Sequence, residues 1–314
     1  MDWQNKRVAV LGLGKSGLAI AKVLSAKGAR VIASDSRTRE ELQEVASQLP
    51  EGVDLEAGSH ANACMEADLI VVSPGVPGSL PVLQAAEADG VEVIGEIELA
   101  YRLGQDGHAA PIVAITGTNG KTTTTTLTGE IFKAAGLQAP VGGNIGHPLV
   151  LLAEEPADWL IAEVSSFQLE TVYQFRPKIA VWLNFTDDHL NRHGTREAYF
   201  TAKKRIFAQQ TAEDWAVINA DDPALAGLIG ELSAQVLPFS LSGTIAEGVV
   251  VSDGWIVWRK DGDEVPVAPI ADIQLRGAHN LENCLAATAM ALAAGITPGI
   301  IALALRDFRA VEHR

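Results

Sequence analysis

A chain of 314 residues, 47% hydrophobic and 20% charged, is long enough for two domains of ordinary size, each with its own buried core. A formal net charge of −15 argues against a nucleic-acid backbone as the main partner, while small anionic ligands stay compatible with local cations and helix N-termini. No apolar run approaches the roughly 20 residues that span a bilayer, and Met1-Asp2-Trp3-Gln4-Asn5-Lys6-Arg7 is not followed by a signal-peptide h-region, so the expected location is cytoplasmic. The two cysteines, Cys64 and Cys284, lie far apart and outside any Cys/His cluster, which points to buried thiols and not to a zinc site or disulfide.

Residues 7–11 read as a strand, Gly12-Leu13-Gly14-Lys15-Ser16-Gly17 as a tight turn, and residues 18–27 as a helix with apolar Leu18, Ile20, Ala21, Val23 and Leu24. A second strand over 29–34 ends at Asp35. Strand, G-x-G-x-x-G turn, helix and strand with a following acid form the pattern that holds a diphosphate on a helix N-terminus. A dinucleotide is the default ligand and a ligand-free glycine turn the bland alternative; Asp35 suits a ribose hydroxyl, Arg37 a base or a phosphate. A third buried strand, Asp68-Leu69-Ile70-Val71-Val72, runs into the turn-rich Ser73-Pro74-Gly75-Val76-Pro77-Gly78, and residues 91–94 close the first domain. Gly104-Gln105-Asp106-Gly107-His108 then breaks the pattern as a linker.

Pro111-Ile112-Val113-Ala114-Ile115-Thr116-Gly117-Thr118-Asn119-Gly120-Lys121-Thr122 is the densest chemical signal: an apolar strand runs into a glycine turn that ends in Lys-Thr before a helix. It reads as a nucleoside-triphosphate phosphate cradle. Glycines let backbone N–H groups turn toward the phosphates, Lys121 reaches the terminal phosphates, and the Thr122 hydroxyl completes the shell of a Mg²⁺ ion. The general pattern G-x-x-x-x-G-K-[ST] wants a glycine at position 115, where this chain has Ile115, with Gly117 instead. A surface lysine in a plain turn is the bland alternative, and the flanking strand and helix weigh against it.

The pattern continues with a helix over 121–135, a Gly142-Gly143-Asn144 loop, strands over 159–162 and 179–183, a helix over 196–210 and a strand over 216–219. Glu163 stands at the carboxyl end of a parallel strand, where open α/β sheets place ligands, and a hard oxygen there suits Mg²⁺; a structural strand-end glutamate is the other reading. Asn184-Phe185-Thr186-Asp187-Asp188-His189-Leu190-Asn191-Arg192-His193-Gly194 concentrates site-type residues after another strand. His279, Asn280 and Asn283 share a helix face, with helix capping by Asn280 as the alternative. Alternation over 236–267 predicts short antiparallel strands, and helices follow over 279–294 and 298–305. Phe308-Arg309-Ala310-Val311-Glu312-His313-Arg314 resembles no capped or packed final element, so a truncated end is expected.

With these residues in hand, the chain resembles the Mur ligases, ATP-dependent amide-forming enzymes of cell-wall precursor synthesis. The resemblance rests on Thr116-Gly117-Thr118-Asn119-Gly120-Lys121-Thr122 with its shifted glycine, Gly12-Leu13-Gly14-Lys15-Ser16-Gly17, Ser73-Pro74-Gly75 and Gly142-Gly143-Asn144-Ile145-Gly146. Glu163-Val164-Ser165-Ser166-Phe167-Gln168-Leu169-Glu170, Asp188-His189 and His279-Asn280 complete it. Within the family the motifs are most similar to those of members that add D-glutamate to UDP-N-acetylmuramoyl-L-alanine.

The resemblance implies an α/β chain: a Rossmann-like parallel-sheet domain over 1–103, a P-loop α/β ATPase-type central domain with a small antiparallel sheet over 104–307, and a linker stub over 308–314 to an amino-acid-binding domain. It implies that Gly12, Leu13, Gly14, Lys15, Ser16, Gly17, Asp35, Ser36, Arg37, Ser73, Pro74, Gly75, Asn144 and His189 hold the UDP-sugar. It further implies ATP at Gly117, Thr118, Asn119, Gly120, Lys121, Thr122, Thr123, His279, Asn280, Asn283 and Arg314. Lys121, Glu163, His189 and Lys203 would be catalytic, with Mg²⁺ near Thr122, Glu163, His189 and a carbamylated Lys203, and Lys204 adjacent as the competing register. A chain ending at 314 is then expected to bind the UDP-substrate and to ligate D-glutamate poorly. On residues alone, an NAD(P)-dependent oxidoreductase and a non-catalytic nucleotide-binding module stay open, though the first leaves Lys121-Thr122 without a task.

Overall fold

The computed structural model describes residues 2–105 and 110–309. Arg314, expected at the nucleotide, lies outside the described residues, as do linker residues Asp106, Gly107 and His108. The chain forms two compact units: 1–109 with 147–156 and 166–175, and 110–146 with 157–165 and 176–314. Among the described residues no helix is long and apolar enough to cross a membrane.

The first unit is built on β1 (Arg7–Leu11), β2 (Arg30–Asp35), β3 (Asp54–Ala57), β4 (Leu69–Val72) and β5 (Glu92–Gly95). Their order is β3-β2-β1-β4-β5, all parallel. Val8, Ala9, Val10 and Leu11 are fully buried, as a central parallel strand covered on both faces requires. The strand order reverses between β1 and β4, so the turn after β1 and Ser73 after β4 meet at the crevice where such sheets bind ligands. The helix after that turn, Lys15–Ala26, starts ahead of its apolar pattern because Lys15 and Ser16 are first-turn residues on the open side.

A helix Glu96–Gln105 follows β5, where the sequence pattern ended the domain. It buries two acids. Glu98 accepts the backbone N–H groups of Tyr173 (2.9 Å), Gln174 (3.0 Å) and Phe175 (3.0 Å) and the Arg102 Nε at 2.7 Å. Glu96 accepts the N–H of Val150 at 2.7 Å. These carboxylates fasten the 147–156 and 166–175 excursions to the first unit by satisfying backbone donors that burial would otherwise strand.

The second unit contains β6 (Ile112–Thr116), β7 (Val141–Gly143), β8 (Leu160–Glu163), β9 (Ile179–Trp182), β10 (Trp215–Asn219), β11 (Gln235–Ser240), β12 (Gly248–Ser252), β13 (Trp255–Lys260) and β14 (Asp263–Pro269). Its nine-stranded order is β14-β13-β12-β11-β10-β9-β6-β8-β7. The antiparallel strands expected over 236–267 are β12, β13 and β14, and they extend the parallel sheet, with β11 itself parallel to β10. The helix begun at Arg196 ends at Lys204 and tightens into a 3₁₀ turn, Arg205–Phe207. Residues 141–143, read as loop, pair with β8 as an edge strand.

Leu127, Ile131 and Phe132 of helix Lys121–Ala134 join Leu285, Ala289 and Met290 of helix Ala278–Ala293 and Ile301 and Leu305 of helix Pro298–Asp307 in one core. Two buried threonine hydroxyls of this helix, Thr125 in the threonine run and Thr128 just beyond it, are absorbed by its own backbone. Thr125 donates to the Lys121 carbonyl and Thr128 to the Thr124 carbonyl, both at 2.7 Å.

Candidate functional site

In the first unit, the glycine turn is locked from both sides. Gly12 has φ +83°, and the Ser73 hydroxyl donates to its carbonyl at 2.6 Å. A side chain at Gly17 would run into that same carbonyl, which explains the third glycine of the pattern. Asp35 accepts the Leu13 N–H at 2.7 Å and a forked contact from Arg37 Nε (3.0 Å) and Nη2 (2.9 Å), while Arg37 Nη2 also reaches the Leu13 carbonyl. Burial pushes the Asp35 carboxyl up, but the Arg37 guanidinium and the backbone donors outweigh it and hold the group near 2. Asp35 therefore braces the turn as an anion. Gly14, Lys15, Ser36 and Gly75 are exposed, with Ser16 and Pro74 half-buried, so the crevice rim is made of these residues.

In the second unit, Gly117 to Gly120 join β6 to the helix Lys121–Ala134, whose N-cap Gly120 sits at φ +83°. Only a glycine fits there: a Cβ would collide with the Asn283 Oδ1. The N–H groups of the first helical turn have no intrahelical acceptor and form an anion-ready end. Lys121 Nζ arches over the loop, donating to the carbonyls of Gly117 (3.0 Å) and Thr118 (2.9 Å). Burial lowers the Lys121 pKa, opposed by the charges of Glu163 and Asp188.

Glu163, 2% exposed at the end of β8, is the carboxylate this loop faces. Its Oε2 accepts the Thr122 hydroxyl at 2.9 Å and its Oε1 the Asn144 amide at 2.8 Å. Gly143, at φ +96°, lets the β7 backbone press against the Glu163 carbonyl, which puts Asn144 in reach. A hydroxyl and a carboxylate side by side are hard oxygen donors of the kind Mg²⁺ takes beside substrate phosphates. Among the described residues no three His, Cys, Asp or Glu side chains form a preformed metal cage.

Lys203 and Lys204 part company. Lys203 is 1% exposed and donates to the Gly117 carbonyl at 2.8 Å and the Thr116 hydroxyl at 3.2 Å, with its Nζ 5.1 Å from the Tyr199 ring centroid. Burial, and then the positive charge of Lys121, lower its pKa to about 7. Lys204 turns outward to Glu231 at 2.8 Å.

His189 takes the left-handed conformation, φ 52°, at the start of helix Leu190–His193, and is about half exposed beside Asp188, 3.4 Å away. Its ring meets that of Tyr199 edge-on at 6.2 Å, so it belongs to the same side-chain group as Lys203. Asn283, 2% exposed, accepts from the Thr124 hydroxyl at 3.1 Å, and its buried Nδ2 has no hydrogen-bond partner among the described residues. Asn280 does not cap its helix: Gly277 is the N-cap, and Asn280 donates back to the Arg276 carbonyl at 2.8 Å. His279 is exposed, with Glu282 3.8 Å away, and Thr123 is half-buried in the first turn.

The second unit thus gathers Gly117, Thr118, Asn119, Gly120, Lys121, Thr122, Asn144, Glu163, Lys203 and Asn283, while the other expected UDP-sugar residues, except His189, lie in the first unit. Asn184, which binds the loop through its side chain, stood in a motif read from the sequence but was not singled out. A post-strand asparagine opposite a phosphate loop was its one signal.

A family model described as the Mur ligase middle domain matches residues 115–291, and one described as the MurD-like N-terminal domain of Mur ligases matches residues 6–95. The chain is 46% identical over 318 residues to the UDP-N-acetylmuramoylalanine--D-glutamate ligase of Koribacter versatilis, covering 100% of this chain and 69% of that protein. It is 48% identical over 320 residues to the enzyme of the same name from Pelotomaculum thermopropionicum, again covering 69% of the relative. Among solved structures, the UDP-N-acetylmuramate:L-alanyl-gamma-D-glutamyl-meso-diaminopimelate ligase from Neisseria meningitides is similar in fold, at 21% identity and TM-score 0.65, over 98% of this chain and 99% of that one. The UDP-N-acetylmuramate-alanine ligase MurC from Thermotoga maritima is similar at TM-score 0.54 and 21% identity, over 97% and 69%. With its middle-domain match running through more than half of the sequence and near-half identity along all of it, this chain belongs to the Mur ligase family.

Proposed function

We propose that the chain binds UDP-N-acetylmuramoyl-L-alanine and Mg·ATP and serves the ATP-dependent joining of D-glutamate to that substrate in peptidoglycan precursor synthesis, in the cytoplasm. The observation that carries this reading is Glu163, buried at the phosphate loop and held between Thr122 and Asn144. The relatives' printed names supply the substrate, and the domain limits at 103 and 307 are our reading of the same resemblance.

In this account the first-turn amides, Lys121 and Thr122 take the ATP phosphates, and His279, Asn280 and Asn283 lie on the adenine side. Gly12 to Gly17, Asp35 to Arg37 and Ser73 to Gly75 take the UDP moiety, with Asn144 and His189 toward the sugar. Thr122 and Glu163, with His189 and Lys203, supply the metal donors; a bound Mg²⁺ offsets phosphate charge. The substrate carboxylate attacks the γ-phosphorus, the bond to the bridging oxygen breaks, and ADP leaves an acyl phosphate. The D-glutamate amine then attacks the acyl carbon and releases phosphate and a proton. Two anions meet in the first step, and the fixed cation of Lys121 lowers their repulsion.

Lys203 adds a second metal-side anion in this reading. A neutral amine adds CO₂ to give a carbamate and a proton, and a lysine buried enough to titrate near 7 holds that neutral amine at physiological pH. Calorimetric titration with Mg·ATP tests the nucleotide half: saturable binding that Lys121→Ala abolishes is expected, and heat-silent mixing with the intact protein would sink the reading.

A further inference from the structure

Besides Lys203, a side chain from the end of β9 holds the loop between β6 and its helix, and it uses up part of the loop's donor capacity. Asn184, just past β9, accepts the N–H groups of Thr118 (3.0 Å) and Asn119 (2.8 Å) on Oδ1 and donates through Nδ2 to the Asn119 carbonyl at 3.0 Å. Two donors on one side and an acceptor on the other fix the orientation of the amide. A second clasp lies beside it: the Thr118 hydroxyl donates to the Thr186 carbonyl at 3.2 Å and accepts the Thr186 N–H at 3.1 Å. The strand end that carries Asn184 is itself pinned, by Asn219 Nδ2 on the Leu183 carbonyl (2.9 Å) and by Asp222 on the Phe185 N–H (2.7 Å).

We propose that Asn184 is a positioning residue for the phosphate loop: it fixes the loop in its binding shape, ties it to the segment that carries Asp188 and His189, and leaves phosphate recognition to the helix N-terminus and Lys121. The inference rests on the nucleotide reading of this site. It also gives the displaced glycine a mechanical cause. A Cβ at Gly117 would stand 3.0 Å from the Leu183 Cβ and 3.3 Å from the Asn119 carbonyl oxygen, so a side chain there crowds the strand end that carries Asn184 and the loop it clasps. The amides of Thr118 and Asn119, which a phosphate cradle of the general pattern would turn to its ligand, are spent on Asn184. The first-turn donors from Lys121 onward are not.

The test is equilibrium binding of Mg·ADP and of adenosine to the 314-residue chain and its variants. Asn184→Ala should weaken Mg·ADP about tenfold, because the Asn119 amide loses its acceptor and the Thr118 amide keeps only the Asn184 backbone carbonyl, and should leave adenosine affinity within about twofold. Gly117→Ala, which crowds Leu183 and the Asn119 carbonyl, should produce the same phosphate-selective loss, and the double variant should be no worse than the weaker single variant, since both loosen the same clasp. Asn184→Asp keeps the acceptor for both amides but sets a charged oxygen against the Asn119 carbonyl in place of the Nδ2 donor; it should fold normally and lose Mg·ADP selectively, which covers the case where the alanine variant fails to fold. Unchanged or tighter Mg·ADP binding by Asn184→Ala, equal loss of adenosine and Mg·ADP in Asn184→Asp, or additive single-variant effects would each overturn the proposal. Failure of the unsubstituted chain to bind Mg·ADP would instead bring down the nucleotide reading, and this inference with it.

Discussion

The Lys203 ammonium donates to the Gly117 carbonyl at 2.8 Å, so a buried amine from helix Arg196–Lys204 is anchored on the phosphate loop itself. Its neighbour Lys204 faces Glu231 and solvent. One helical step separates an amine that burial makes near-neutral from an ordinary surface cation.

That difference predicts where CO₂ adds. With ¹³C-bicarbonate, a carbamate resonance should grow as pH rises through about 7, the value to which burial and then Lys121 lower Lys203. Lys203→Ala should erase it and Lys204→Ala leave it unchanged. A signal that follows Lys204 would show that the wrong lysine has been assigned.

Glu163 offers a metal-specific prediction. Glu163→Gln keeps an acceptor for Thr122 but removes the charge, so it should cost about tenfold in Mg²⁺-dependent ADP affinity while ADP without Mg²⁺ binds as before. Equal loss with and without the metal, measured by calorimetry, would place Glu163 in the loop's scaffold and not at the metal.

The first unit carries a proton-linked contact. Glu96 is fully buried, its Oε2 has no hydrogen-bond partner among the described residues, and burial raises it to about 7, against hydrogen bonds from Val150, Leu149 and Gln168 to the carboxylate that lower it. A folded value above the unfolded 4.5 means that Glu96 contributes stability below 4.5 that is lost as pH rises through 7. Glu96→Gln should therefore gain on the parent chain across that window, by on the order of 1–3 kcal/mol at pH 8. Denaturant midpoints that run parallel for the two proteins from pH 5 to 8 would contradict this.

Gly120 should tolerate no side chain. Its φ of +83° and the Asn283 Oδ1 beside it mean that Gly120→Ala strains the backbone and pushes Asn283 from Thr124. A loss of about 1–3 kcal/mol is expected in chemical unfolding, together with weaker nucleotide binding.

The sequence made the phosphate loop, the first glycine turn and the strand-end Glu163 readable because each packs a chemical demand into a few adjacent residues. Long-range relationships were hidden. Nothing local in 147–156 or 166–175 announces that Glu96 and Glu98 will bind their backbone amides, since two glutamates in an amphipathic helix read as solvent-facing. The junction of β11 and β12 shows the same limit: alternation reveals antiparallel strands but not that they continue a parallel sheet. Asn184 was legible as a motif member, yet its task depends on a loop 65 residues earlier.

The central claim, that the first glycine turn serves a UDP-sugar and the chain a ligase, is tested most directly by calorimetric titration with UDP-N-acetylmuramoyl-L-alanine, with NADH as competitor. The account predicts saturable one-to-one binding that NADH leaves unchanged and Arg37→Ala weakens. Tight NADH binding with indifference to the UDP-sugar would contradict it.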